Sequence, residues 1–239
     1  MRFAPYAYIF DIDGTLVDSN ELHVDAWDRA FRRFGKSFPR EQLQAQIGKG
    51  SDQYLPEFLS STEIEQFGKE LDDYRSDIFR EDYLPQVRPF PNARELIEQI
   101  RADRNQIILA SSGKKEDTAY YIKDLLKIEL LIDGFTTADD AEHSKPAPDI
   151  FEAALRKLDD ISPTNAVTVG DTRFDIEAAR KVGLSTIALL CGGTSEHILR
   201  QTGAIAIYRD PTDLLAQYER LRVMIVLDDQ PELTQTASS

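Results

Sequence analysis

From Gln106 onward, short apolar runs alternate with amphipathic stretches, and that alternation leaves few architectures open. Gln106–Ala110, Ala166–Val169, Ser185–Leu190 and Ile205–Tyr208 read as strands. Glu116–Leu126, Asp149–Leu158, Asp175–Val182 and Ser195–Gln201 read as the helices between them. Together with the apolar run Ala7-Tyr8-Ile9-Phe10, the pattern predicts an α/β fold: a doubly wound parallel sheet, Rossmann-like, covered on both faces. Phe135-Thr136-Thr137 can add one further short strand.

Residues 19–89 break the alternation. They hold no run that reads as a strand, but Leu22, Ala26, Ala30 and Phe34 recur at helical spacing. A polar helix follows over residues 62–82, with Thr62 and Glu65 spaced as a capping box. Prolines punctuate the return from Leu84-Pro85 to Phe90-Pro91, and Asn92 with Glu95 reads as the cap of the next helix. The expected division is an α/β catalytic core of residues 1–18 and 90–222, a helical cap of residues 19–89, and a tail of residues 223–239. The tail ends in small polar residues and is expected to be disordered there.

Hydrophobic residues make up 41% of the 239-residue chain and charged residues 29%, enough apolar material for a core of this size. The formal charge of −14 argues against nonspecific nucleic-acid binding and weighs against anionic membranes. No apolar run approaches a membrane span, and Met1-Arg2-Phe3-Ala4-Pro5 carries no apolar signal region. A lone cysteine, Cys191, can form neither an internal disulfide framework nor a cysteine metal cluster. These features lead to the expectation of a cytoplasmic monomer or small homo-oligomer. For an anionic substrate, something local must overcome the overall repulsion.

Asp11-Ile12-Asp13-Gly14-Thr15 ends the first apolar run. Ligands of open parallel sheets bind beyond the carboxyl ends of the strands, and alternate residues of an extended segment share a face. Two carboxylates so placed repel unless a proton, a metal or different surroundings separate them. A solvated turn rich in acids is the plainer reading of the motif alone. Ser111-Ser112-Gly113 ends a second strand and offers a hydroxyl with backbone N–H groups, an anion nest if it is more than a common Ser-Gly turn. In Ser144-Lys145-Pro146-Ala147-Pro148-Asp149 two prolines fix the backbone around Lys145, as they would to aim a lysine or simply to start a helix. Asp171 ends another strand and Asp175 lies about one turn later. They can share the crevice or merely favour the positive end of the following helix. Hard carboxylate oxygens in an open crevice suit Mg²⁺, and Mg²⁺ with Lys145 would offset the like charges of Asp11, Asp171, Asp175 and a bound phosphate.

Taken in order, these four stretches resemble the motifs of the haloacid dehalogenase-like hydrolase superfamily, and the likeness spans the chain to about Arg222. The helical insert after the first motif resembles the helical-cap subclass, in the branch that holds phosphoglycolate phosphatases and β-phosphoglucomutases. The resemblance implies a Mg²⁺-dependent phosphatase that hydrolyses a small phosphorylated metabolite through an aspartyl phosphate. It implies that Asp11 is the nucleophile and Asp13 the general acid and base. Ser111, Ser112, Gly113 and Lys145 would hold the phosphoryl oxygens. Asp11, the backbone carbonyl of Asp13 and Asp171 would ligate the metal, with Asp175 orienting Lys145 or a metal-bound water.

Two neighbouring branches and one different class compete with that reading. In a phosphomutase of the β-phosphoglucomutase type a sugar hydroxyl replaces water, and His23 matches that branch's hinge histidine. Against it, Ser51 stands where that branch has a cap arginine, and Gly170 where an acidic residue precedes the metal aspartate. A phosphonate carbon–phosphorus hydrolase needs a cap lysine, for which Lys49 is a poorly spaced candidate. A catalytically silent binding protein would have lost a core residue, and none is lost. His23 and Lys49 are the substrate-contact candidates of the cap: Lys49, between two glycines, is either a solvated tip or a substrate-facing one. Trp27 reads as a core anchor of the first cap helix.

Overall fold

A computed structural model describes residues 6–158 and 161–221. Its strands are β1 (Ala7–Phe10), β2 (Val17–Asp18), β3 (Arg88–Pro89), β4 (Gln106–Ala110), β5 (Gly134–Thr136), β6 (Ala166–Gly170), β7 (Ser185–Leu189) and β8 (Ala206–Tyr208). Six of them form one parallel sheet in the order β5-β4-β1-β6-β7-β8. Strand β1 is central, which explains why its four residues carry no polar alternation: both faces are covered. Tyr8 and Phe10 join Ile107, Leu109, Val167 and Val169 on one face, closed by Leu96, Ile97 and Ile100. Ala7, Ile9, Ile108 and Ala110 face Ile150, Phe151 and Ala178 on the other. The chain winds outward from β1 through β4 and β5, then crosses to β6 on the opposite side. This reversal opens a crevice at the carboxyl ends of β1, β4 and β6.

Between β2 and β3 lies the helical insert. Asn20–Arg33 and Arg40–Gln44 are followed by a longer helical path over residues 61–83. Its apolar cluster includes Val24, Trp27, Phe31, Tyr54 and Leu71. Trp27 and Tyr54 stack with ring centroids 4.4 Å apart, so Trp27 is the anchor its surroundings in the sequence suggest. The first helix buries Val24, Ala26, Trp27, Ala30 and Phe31, a wider arc than the anticipated stripe, whose Leu22 and Phe34 are only half-buried. Strands β2 and β3 pair antiparallel, Val17 with Pro89 and Asp18 with Arg88, where the insert leaves and rejoins the sheet. Two-residue strands carry no periodicity, and this ribbon corrects the reading of residues 19–89 as strand-free.

Two cap assignments also need correcting. The box at the start of the long helix is Ser60 with Glu63, not Thr62 with Glu65. Both pairs have the right spacing. The earlier one places Leu59 just before the cap and Ile64 four residues after it, both against the same apolar cluster, as a hydrophobic staple requires. Asn92 makes no side-chain cap; it sits in the left-handed region at φ 60°, which Asn tolerates, and its amide donates to Thr212 Oγ1 at 3.1 Å. Elsewhere the expected helices shift by a few residues: Lys115–Tyr120 continuing through Tyr121–Leu125, Asp149–Leu155, Arg173–Lys181 and Glu196–Thr202. No helix among the described residues is long and apolar enough to cross a membrane. The tail beyond Arg222 lies outside the described residues.

Candidate active site

The crevice collects the ends of three adjacent strands. Asp11 follows β1, Ser111 follows β4 and Asp171 follows β6, while the segment before Asp149–Leu155 brings in Lys145. The Asp11 backbone N–H donates to Val169 O at 2.8 Å, tying the first loop to β6. Lys145 is 1% exposed, and its Nζ donates to Asp11 Oδ1 at 2.5 Å and Ala110 O at 3.0 Å. It also pairs with Asp175 Oδ1 at 2.8 Å. The proline-framed lysine is therefore aimed at the first aspartate. Asp175 does both things its position allowed: Oδ1 holds Lys145, while Oδ2 accepts from Thr172 N at 3.0 Å in a capping box.

Thr15 Oγ1 lies 3.1 Å from Asp11 Oδ2 and 3.2 Å from Asp171 Oδ1, so one hydroxyl bridges both carboxylates. On its other side Asp171 Oδ2 accepts from Asn20 Nδ2 at 2.8 Å, and the same amide donates to Gly192 O at 2.8 Å. This packing leaves no room for side chains around it. A Cβ at Gly192 would stand 1.7 Å from Asp171 Oδ2, and one at Gly14, where φ is +77°, would stand 2.2 Å from Asn20 Nδ2. Gly192→Ala must therefore displace Asp171. It is expected to lower stability by about 1–3 kcal/mol, as overpacking does, and to weaken divalent-cation binding, both measurable in thermal melts with and without Mg²⁺.

Oxygens of Asp11, Asp171 and Asp175 lie within 4.8 Å of one another, all buried. Burial is the main force raising the Asp11 carboxyl to about 7; the Lys145 ammonium opposes it, and Asp175 and Asp13 add to it. Asp171 is pushed up by burial and then by the charges of Asp11 and Asp175. Burial would lower Lys145, but Asp11 and Asp175 outweigh it and raise the ammonium. One buried lysine cannot balance three buried carboxylates. Hard oxygens, negative excess and close spacing are the donor chemistry of a small dication, so the residues present fit Mg²⁺.

The side chain of Asp13 does not join that cluster. Its Oδ1 accepts from Ser19 Oγ at 2.6 Å and from His23 Nε2 at 3.0 Å, both next to the insert's first turn. Burial pushes Asp13 up, but His23, the Ser19 hydroxyl and Arg75 together outweigh it and hold the carboxyl below its usual range. On the far side of the imidazole, Arg75 Nη2 stands 2.7 Å from His23 Nδ1. A guanidinium can only donate, so Nδ1 must carry the lone pair and Nε2 the proton that points at Asp13. Burial lowers the His23 pKa, against the opposing pull of Asp13. His23 thus reaches the site through Asp13.

Ser111 is buried, and its Oγ accepts from the Gly113 N–H at 3.0 Å. That N–H of the expected nest is turned onto the serine rather than left free. Ser112 Oγ reaches toward Gly48 O of the insert at 3.4 Å, and Gly50 N donates to Ser144 Oγ at 2.9 Å, so the glycine-flanked loop is seated on the core. Lys49 lines the same cavity, but it is no mobile tip. Its ammonium pairs with Glu57 at 2.7 Å and lies 4.8 Å from the Phe174 ring centre. The cavity, about 360 Å³, has Asp11, Asp13 and Ser111 on its core wall and His23, Lys49 and Arg75 on its insert wall. Asn20 and Arg75 escaped the sequence reading, and Thr15 entered it only as the end of the first motif, without a role. A signal for Arg75 was present: it lies at helical spacing from Leu71, Ile78 and Phe79, which its helix buries, on a face where a charge needs a reason.

With this geometry in place, comparison with known proteins is decisive at the level of family. The haloacid dehalogenase-like hydrolase family matches residues 8–189. A phosphorylated carbohydrates phosphatase of Thermotoga maritima is 26% identical over 214 residues, covering 87% of this chain and 96% of its own. The pyrophosphatase PpaX of Oceanobacillus iheyensis is 25% identical over 215 residues, 87% of this chain and 94% of its own. A crystal structure of a hydrolase from Pseudomonas syringae superimposes with a TM-score of 0.80 at 28% identity, covering 90% of this chain and 98% of that one. A doubly wound sheet whose crevice pairs aspartates with a buried lysine defines the class, a phosphatase-type hydrolase. The chain belongs to the haloacid dehalogenase-like hydrolases.

Proposed function

We propose that the protein is a Mg²⁺-dependent phosphatase that hydrolyses a small phosphorylated metabolite through an aspartyl phosphate on Asp11. The observation that carries this reading is the pairing of buried Asp11 with Lys145 at 2.5 Å, two residues from an Asp13 that is hydrogen-bonded to a neutral histidine instead. Two carboxylates so close in sequence have been given opposite surroundings, as a nucleophile and a proton carrier require.

An Asp11 oxygen attacks phosphorus as the bond to the leaving oxygen breaks, and Asp13 delivers a proton to that oxygen. Asp13 then takes a proton from water, which attacks the acyl phosphate and regenerates Asp11. The hydrogen bonds that hold Asp13 anionic suit the second role. A phosphate dianion beside it opposes them and lets it carry the proton for the first. Lys145 and Ser111 steady the phosphoryl oxygens. Asp11, Asp171 and the Asp13 main-chain carbonyl would hold Mg²⁺, with Asp175 behind them orienting Lys145. The ion supplies positive charge against the carboxylates and the phosphate.

Two contacts favour water over a sugar hydroxyl as the final acceptor. Ser51, where a mutase of this type has an arginine, gives its hydroxyl to Asp72 at 3.1 Å. At Gly170 a Cβ would meet Asp175 Cγ at 2.6 Å, so an acidic side chain there would dislodge the group that holds Lys145. The Schiff-base alternative needs a free amine, whereas the Lys49 ammonium is ion-paired to Glu57. The test is phosphate release from a panel of phosphate monoesters with Mg²⁺. Asp13→Asn is expected to slow release by about 10²- to 10⁴-fold. No release from any ester, or an Asp13→Asn variant of normal rate, contradicts the reading.

A further inference from the structure

Ser19 and Asn20 open the insert's first helix, Asn20–Arg33, yet neither side chain serves that helix. A serine at this position ordinarily accepts from the free N–H groups of the first turn. Here it makes no side-chain cap, and its hydroxyl goes to Asp13 Oδ1 at 2.6 Å. Asn20 reaches back into the core, where its Nδ2 donates to Asp171 Oδ2 and to Gly192 O, both at 2.8 Å. The start of one helix therefore holds two of the carboxylates at the site.

The amide keeps its orientation at a cost. Gly192 O can only accept, and so can an ionised Asp171, so the NH₂ must face them and Oδ1 must point away. Asn20 is 7% exposed, and no donor among the described residues reaches its buried Oδ1. A buried carbonyl without a partner destabilises a fold and calls for an explanation. Space has also been kept for the amide. A Cβ at Gly14 would stand 2.2 Å from Asn20 Nδ2 and 2.4 Å from Asp171 Oδ2.

The surroundings of Asp171 supply the explanation. Thr15 Oγ1 lies 3.2 Å from Asp171 Oδ1 and 3.1 Å from Asp11 Oδ2, so Oδ1 is the oxygen turned toward Asp11. The Asn20 amide takes the other oxygen. A carboxylate held at Oδ2 cannot easily swing Oδ1 out of the group that Asp11 and Asp175 complete. An N–H donor also favours the charged carboxylate, against the burial and like charges that push Asp171 up. Partners that orient a metal ligand in this way set the affinity of the site.

We propose that Asn20 is a positioning residue for the divalent cation, fixing Asp171 with Oδ1 toward Asp11, so that the insert's first helix helps to build the ion's site. This rests on the cation site of the phosphatase reading. Asn20 acts on the ion through Asp171.

The test titrates Mg²⁺ alone into the metal-free, full-length protein by calorimetry, with thermal melts to show that each variant folds. Asn20→Ala is expected to weaken Mg²⁺ binding by about 10- to 100-fold. At saturating Mg²⁺ its KM for acetyl phosphate should match that of the parent. Ala30→Gly loosens the same helix within the insert, away from Asp171, and should leave the Mg²⁺ affinity unchanged. If Asn20→Ala does not fold, Asn20→Ser, whose hydroxyl falls short of the amide's reach, takes its place with the same expected loss. A folded variant that binds Mg²⁺ as the parent does would overturn the proposal and leave the phosphatase reading intact. So would an Ala30→Gly variant with an equal loss, which would make helix stability the cause. A parent that binds no Mg²⁺ would overturn the cation site, and the proposal with it.

Discussion

Asp11→Asn is expected to abolish turnover, by about 10⁴-fold or more, while leaving the fold intact. The amide is too weak a nucleophile to form an acyl phosphate, and no other carboxylate is placed to substitute for it. Asp13 is turned to Ser19 and His23, and Asp175 is engaged by Thr172 and Lys145. Stability is expected to move the other way. Breaking a buried ion pair usually costs about 3–5 kcal/mol, because it strands a charge. Here Lys145 keeps Asp175 at 2.8 Å, while the substitution removes one of three mutually repelling buried carboxylates. Burial and repulsion already hold Asp11 near 7, the mark of a group whose charge is tolerated for function. The melting temperature without metal should therefore be no lower than that of the parent. A variant that keeps near-normal turnover, or that unfolds, contradicts this account of the cluster.

Removal of divalent cations should have an effect of the same order. Exhaustive chelation at neutral pH is expected to stop phosphate release, and Mg²⁺ to restore it, since Lys145 alone cannot balance Asp11, Asp171 and Asp175 beside a phosphate dianion. The same ion should stabilise the folded chain, by about 2.7 kcal/mol at a hundredfold excess over its dissociation constant. The expected reading is a Mg²⁺-dependent rise in melting temperature that Asp171→Asn reduces. Activity that survives chelation, or a melt indifferent to Mg²⁺, would mean that the cluster is not a cation site.

The sequence disclosed those parts of the structure that depend on local pattern. β1, β4, β6 and β7 are apolar because both of their faces are covered, and a strand of that kind advertises itself. Asp11, Ser111 and Asp171 were legible because each ends such a strand, and Lys145 because prolines frame it. What stayed hidden depends on partners far along the chain. Asn20 carries no local signal, since its amide meets Asp171 across 151 positions. Between Gly48 and Gly50, Lys49 could be a solvated tip or a substrate-facing one, because Glu57 and Phe174, which pin it, meet it only in the fold. Arg75 was lost among the charges of a polar helix until His23, 52 positions earlier, proved to be its partner. The Ser60 and Thr62 caps were indistinguishable by spacing, and packing of Leu59 and Ile64 on the insert's core separated them.

The central claim is that Asp11 carries the phosphoryl group. Acid quenching of the enzyme during turnover of a good phosphate ester, followed by peptide mapping of the acid-stable acyl phosphate, tests it directly. The account predicts a phosphorylated peptide whose modified residue is Asp11, absent from Asp11→Asn and accumulating in a variant of Asp13, where release to water is slowed. Phosphate found on any other residue, or full turnover with no covalent phosphate at any quench time, would contradict it.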